Sequence, residues 1–260
     1  MTYSYVLFSL PERIFFERRF GAMSDENVYS EYNFFAGIYD KHWGGFYKGV
    51  YPFLKENVLE KFSEKIDILD LCCGTGQLVE QLTSEGHRVT GLDGSREMLK
   101  YAKMKSPKGN FILADARFFN IKKRVHVVFS IYDSLNHIMK ENELQQVFKN
   151  VYESLVENGI FAFDLNMEEN FLNKWNATFQ IEEENYTLRV TSNYDSDENL
   201  GCMHFIIAHK DIVFGNKESE YFINERFYSE DKVYSLLKLV GFKDVSTFSL
   251  SGRSIFICTK

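Results

Sequence analysis

The sequence predicts an α/β fold. It should be an open, mostly parallel sheet with helices on both faces, a helical cover ahead of it and a β-rich antiparallel insertion after its fifth strand. Three observations carry this expectation. Ile66–Leu78, IDILDLCCGTGQL, passes from an apolar run suited to a buried parallel strand into a glycine-rich turn, then into a helix-compatible segment from Gln77. Strand-like and helix-like segments then alternate, as they do in a parallel sheet wound by crossover helices. From about Phe171 to Phe227 the pattern changes to the two-residue alternation of antiparallel strands.

Taken in order, about Val28 to Phe62 reads as helical and rich in aromatic residues, and the sheet starts at Ile66. Gly74 and Gly76 put no Cβ in the way of a sharp turn, so the backbone there can approach a ligand closely. The second strand, Arg88–Leu92, ends on Asp93, at the position where Rossmann-type sheets grip a nucleotide ribose. Asn110–Arg117, NFILADAR, gives a short third strand ending at Asp115. Val125–His137 is an apolar strand leading into Tyr132, Asp133, Ser134, Asn136 and His137, a polar cluster at the carboxyl edge where open α/β sheets bind ligands. Apolar residues at helical spacing between Asn142 and Glu157 predict a helix that Asn158-Gly159 ends, followed by a fifth strand over Gly159–Leu165. Thr178–Ile181, Thr187–Ser192, Met203–Lys210 and Glu220–Arg226 read as antiparallel strands. Ser229–Val240 returns to helical spacing capped by Gly241, and Asp244–Ser249 with Ser254–Thr259 forms a closing hairpin.

The glycine turn implies an adenosine-containing cofactor, and the residues around it narrow the choice. A dinucleotide fingerprint begun at Gly74 has Val79 where Gly or Ala is needed for close helix packing, and no Lys-Ser or Lys-Thr pair makes a P-loop. The run D-x-x-C-G-T-G followed by V-T-G-L-D-G-S instead resembles motif I and the second acidic strand of class I S-adenosylmethionine-dependent methyltransferases. YDSLNHI is similar to the corresponding loop of small-molecule enzymes in that family, including sugar-amine and glycine-type N-methyltransferases. The resemblance spans roughly Val28 to the C-terminus, specific around the cofactor and loose over the insertion. It implies a Rossmann-like class I methyltransferase sheet and S-adenosyl-L-methionine as cofactor. Asp115 would meet the adenine amine, Asp70 would act through the glycine loop, and Tyr39 would close over the cofactor. It also places Tyr32, Cys72, Gly94, Met98, Ala116, Ser130 and Tyr132 beside Gly74, Gly76 and Asp93 in the cofactor site.

Composition agrees with a compact enzyme. A net charge of −7 opposes nonspecific nucleic-acid binding, since phosphate contacts need a basic face. The 16% aromatic content is high; most of it belongs in the core, and the excess suits a pocket for an apolar or cationic molecule. Cys72, Cys73, Cys202 and Cys258 make no C-x-x-C pair, which opposes a zinc or disulfide framework and fits a reducing cytoplasm. Pro11, Glu12, Arg13 and Glu17–Arg19 interrupt the apolar character of the first twenty-two residues, so neither a signal peptide nor a membrane span is expected. The expected organisation is an extension over 1–27, a core over 28–170 and 227–260, and an insertion over 171–226 that covers the substrate. The insertion's edges allow a homodimer.

The resulting expectation is a methyltransferase acting on a small-molecule acceptor, at an amine nitrogen first and a hydroxyl oxygen second. A noncatalytic cofactor-binding regulator is the rival from another class, and a blocked acceptor pocket would favour it. His137 is the candidate proton acceptor or acceptor-orienting group, because imidazole titrates near neutrality; the alternative is a histidine that caps or packs the loop. Tyr39 joins it at the catalytic end. Tyr47, Asn166 and Arg226 are candidate substrate contacts, with packing or solvent exposure as their alternative. No NPPY-type signature of enzymes that methylate amino groups of nucleic acids and proteins is present.

Overall fold

A computed structural model describes residues 32–210 and 217–260. The expected extension over 1–27 and the start of the helical cover at 28–31 lie outside the described residues. The described part of the cover carries α1 (Ala36–His42) and α2 (Tyr47–Asn57). The core follows as β1 (Asp67–Leu71), α3 (Gln77–Ser84), β2 (Arg88–Asp93), α4 (Arg96–Lys105), β3 (Asn110–Leu113), β4 (Val125–Ser130), α5 (Glu141–Ser154) and β5 (Leu155–Asn166). After α6 (Glu168–Lys174) come β6 (Ala177–Glu182), β7 (Tyr186–Asp195), β8 (Leu200–His209) and β9 (Lys217–Arg226). The chain closes with α7 (Glu230–Val240), β10 (Lys243–Leu250) and β11 (Arg253–Thr259).

The main sheet has the order β10-β11-β5-β4-β1-β2-β3. β1 pairs in parallel with both β2 and β4, so the winding reverses between β1 and β4 and opens a crevice at their carboxyl ends. Strand alternation divides the core between the two faces. Ile68, Val127, Phe129, Ile160, Ala162, Ile255 and Ile257 pack against α2 and α3, while Leu69, Val128, Phe161, Phe163 and Phe256 pack against α5 and α7. Burial on both faces is why these strands read as continuous apolar runs. The insertion forms a separate antiparallel sheet, β6-β7-β8-β9. Its inner face meets the cover directly: Phe35 and Ile38 share a core with Leu188, Val190, Phe205, Ile207 and Ile223.

Two local expectations need correction. α5 ends at Ser154, not at Asn158-Gly159, because buried Leu155 already pairs with Val125 of β4. The ladder then shifts register before Val127 meets Ile160, and Asn158 takes its left-handed conformation (φ 61°) inside that bulge. The turn signal is real, but it belongs to a strand irregularity. Phe171, expected at the start of the β-rich segment, lies in α6 and is fully buried there. Among the described residues no helix is long and apolar enough to cross a membrane.

Candidate active site

The crevice between β1 and β4 opens into a cavity of about 330 Å³ lined by the core, the cover and the insertion. One end is built by the glycine turn. Gly74 (φ 53°) lies beside Tyr39, and a Cβ on Gly74 would make an ordinary 3.5 Å contact with the Tyr39 ring. Gly76 (φ 83°) serves packing instead. A Cβ there would sit 2.6 Å from the Ala102 Cβ, so its bare backbone lets α3 pack on α4. Gly76 does not line the cavity, whereas Gly74, Gly94, Met98, Asp115 and Ala116 do.

Asp93 ties this end together. Its Oδ2 accepts the Gly74 N–H at 2.8 Å and its Oδ1 accepts the Ser95 N–H at 2.8 Å, which fixes the turn to the tip of β2. Burial pushes its carboxyl up to about 6, while the two backbone bonds pull the other way. Asp115 also faces the cavity, with its carboxylate held by the Arg117 guanidinium (Nη2–Oδ2 2.6 Å). Ser130, fully buried at the end of β4, lies outside the lining.

Tyr39 and Tyr132, with ring centroids 5.9 Å apart, stand at the boundary with a small second cavity of about 30 Å³. Asp70 and Tyr47 line only this smaller space, whereas Cys72 reaches both. Burial and the charge of Asp93 hold the Asp70 carboxyl well above the usual range. Tyr132 (φ 69°) and Asp133 (φ 51°) form a left-handed turn that Asp164 clamps by accepting both of their N–H groups, at 2.5 and 3.2 Å. Arg253 lies over the stacked Tyr132 and Phe46 rings.

The opposite end belongs to the cover and insertion. Tyr32 and Phe35 come from the cover, and Phe179, Val190, Met203, Phe205, Ile223 and Glu225 project from the sheet. His137 Nδ1 lies 2.9 Å from the Asn224 carbonyl, which can only accept, so the proton is assigned to Nδ1. Nε2 then accepts from the Tyr32 hydroxyl at 2.8 Å. Asn166 Nδ2 donates to both Asp133 Oδ2 (2.8 Å) and Glu225 Oε2 (2.7 Å). Arg253 pairs with Asp133 and Asp164.

Arg226, expected in the pocket, does not line it. Successive side chains on a strand point to opposite faces, and Glu225 takes the cavity side. The Arg226 backbone does contribute, because its carbonyl accepts Asn136 Nδ2 at 2.8 Å and so fixes β9 to the β4 loop. Tyr47 is likewise displaced, to the smaller cavity. Glu225, Asp164 and Arg253 do not stand out from the sequence as site residues, nor does Asp133 beyond its place in the loop cluster. The shared strand parity of Ile223 and Glu225 is a usable signal for Glu225; nothing local marks Arg253. Asp133, His137 and Glu225 also bring potential ligand atoms within 4.8 Å of one another. With both ring nitrogens of His137 engaged and Asp133 paired to Arg253, the group reads as a polar network rather than a metal centre.

A parallel sheet with a glycine turn after β1 and an acid at the tip of β2 defines a nucleoside-cofactor enzyme whose cavity continues past the cofactor end. The chain belongs to the S-adenosylmethionine-dependent methyltransferases, and S-adenosylmethionine is its cofactor. The family model described as "Methyltransferase domain" matches residues 68–159. "Putative methyltransferase YqeM" of Bacillus subtilis (strain 168) is 30% identical over 178 residues, covering 66% of this chain and 70% of that protein. A dTDP-3-amino-3,4,6-trideoxy-alpha-D-glucopyranose N,N-dimethyltransferase of Streptomyces venezuelae is 25% identical over 179 residues, 66% of this chain and 76% of that protein. The crystal structure of an S-adenosylmethionine-dependent methyltransferase from Clostridium acetobutylicum ATCC 824 superposes with a TM-score of 0.73 at 26% identity, covering 88% of this chain and 98% of that one.

Proposed function

We propose that the enzyme methylates a small molecule at an amine nitrogen. The observation that carries this reading is the acceptor end of the cavity, where aromatic walls surround Asp133 and Glu225. The cations nearby are already engaged: Arg253 is shared between Asp133 and Asp164, and the exposed Lys174 donates to the Ser251 carbonyl at 3.1 Å. Rings and carboxylates together suit a cation with an apolar body. The activity named for the Streptomyces venezuelae relative, dimethylation at nitrogen, points the same way.

The residues present fit the cofactor. Gly74 leaves backbone room, and each Asp93 oxygen accepts one N–H, which leaves further lone pairs for the ribose hydroxyls. Asp115, Met98 and Ala116 are assigned to the adenine. Asp70, Cys72, Tyr39 and Tyr132 are assigned to the amino-acid end, where the two cavities meet. When bound, S-adenosylmethionine supplies an electrophilic methyl group on a sulfonium.

The chain's own contribution is largely placement, which accounts for roughly 7–11 kcal/mol of a barrier when two reactants are aligned. Tyr32, held by His137, and Phe35 close the cavity from the cover, and the insertion closes it from above. The role of both covers in this reading is to limit water and orient the acceptor. In this reading residues 171–226 are the substrate cover, and 28–170 with 227–260 are the methyl-transfer core. The test is to follow formation of S-adenosylhomocysteine with panels of amines and matched alcohols. Turnover confined to alcohols would overturn the nitrogen assignment.

A further inference from the structure

We propose that Glu225 takes the proton from a cationic amine acceptor, and that Asp133, joined to it through Asn166, holds the ammonium group while it does so. This deepens the amine reading and rests on it. Glu225 is only 3% exposed, yet it lines the cavity. Its one hydrogen bond among the described residues, from Asn166 at 2.7 Å, goes to Oε2, so Oε1 has none. A buried carboxylate held by one neutral amide, with no direct ion pair of its own, is costly to the fold. The charge around it is unbalanced as well: Asp133, Asp164 and Glu225 share the single guanidinium of Arg253, which pairs with the first two.

The upper limit on the spacing leaves room for an ammonium ion. Ligand atoms of Asp133 and Glu225 lie within 4.8 Å of each other. Two acceptors placed around one nitrogen in tetrahedral directions at ordinary hydrogen-bond length are about 4.6 Å apart. Phe35, Phe205 and Ile223 line the same cavity and supply aromatic and apolar surface to it.

The groups facing Glu225 are Asp133, Asp164, Arg253, Tyr132 and His137. Burial first, and the charge of Asp133 second, hold its carboxyl well above the usual range, opposed by Asn166 and Arg253. A carboxylate raised in this way is a better base toward an ammonium ion. In the step an N–H bond of the ammonium breaks and its electron pair stays on nitrogen. The proton passes to Oε1, giving a neutral carboxyl and an amine with the lone pair that methyl transfer requires. A neutral alcohol brings no cation to this carboxylate pair.

The test uses the full chain loaded with S-adenosylhomocysteine, titrated calorimetrically with 2-phenylethylamine, cyclohexylamine and glucosamine, each beside its hydroxyl counterpart. Wild type, Glu225→Gln and Glu225→Asp are compared. Wild type should bind at least one amine about tenfold or more tightly than its alcohol, as expected for a charge-assisted bond. Glu225→Gln should lose that preference, and Glu225→Asp should retain part of it even if the Gln variant folds poorly. In turnover of the bound amine between about pH 6 and 11, Glu225→Gln should move the acidic limb of kcat/KM up to the amine's own solution pKa. Amine turnover with unchanged KM and pH limb in Glu225→Gln overturns the role of Glu225 and leaves the amine reading intact. Binding of no amine, or a preference for the alcohols, overturns both.

Discussion

The Tyr32 hydroxyl lies 2.8 Å from His137 Nε2, joining the N-terminal cover to the loop that follows β4. Because Nδ1 is committed to the Asn224 carbonyl, one imidazole holds three elements at once: cover, core loop and insertion. His137→Ala is expected to leave S-adenosylmethionine affinity near normal and to lower kcat/KM by about tenfold or more, the cost of a lost buried hydrogen bond. Tyr32→Phe, which keeps the ring, should show a smaller loss. Cofactor titration and steady-state kinetics separate the two effects, and unchanged rates in both variants would make the contact purely structural.

Asp93, assigned to the cofactor ribose under the proposed function, is expected to make cofactor binding depend on pH. Its folded pKa, about 6, exceeds the ordinary carboxylate value, so the cofactor-free fold binds more protons than the unfolded chain between about pH 4 and 6. This group's contribution to stability is therefore full below that window and declines as pH rises through it. Ribose hydroxyls favour the ionised form, so S-adenosylmethionine affinity should rise as pH increases from about 5 to 7, with proton release measurable by calorimetry. Asp93→Ala should remove that dependence and weaken binding by about 1.5–3 kcal/mol.

The two glycines of the turn should respond differently to alanine. Gly76→Ala meets Ala102 at 2.6 Å and requires φ 83°, so a loss of about 2–5 kcal/mol in urea unfolding is expected. At Gly74 the new Cβ would make an ordinary 3.5 Å contact with Tyr39. Gly74→Ala should cost only the backbone strain, about 1–2 kcal/mol, and act mainly on cofactor affinity.

Asp164 holds the left-handed turn at Tyr132 and Asp133 and also pairs with Arg253 at 2.9 Å. Asp164→Ala strands two N–H groups and half of a buried guanidinium's partners. Thermal unfolding should report a loss of about 3–5 kcal/mol, the cost of breaking a buried ion pair. An unchanged melting temperature would mean that the turn holds itself.

The sequence by itself determined the strands of the main sheet, their alternation with helices and the glycine turn after the first of them, because these depend on local signals. Runs such as Ile66–Leu71 declare burial on both faces, Gly74 and Gly76 declare a turn, and Asp93 follows at the tip of the next strand. The insertion's strands were legible from alternation, and the caps Ser229 and Gly241 fell where α7 starts and stops. Tertiary structure alone decided the acceptor end. Glu225 rather than Arg226 faces the cavity because the β8–β9 register and the packing of Phe205 and Ile223 on Phe35 set which strand face turns inward. Arg253 reaches Asp133 across 120 residues, a contact between the hairpin turn and the β4 loop that no spacing encodes. Charge pairing of that kind depends on which loops the sheet order brings to one edge, and that order exists only in the folded chain.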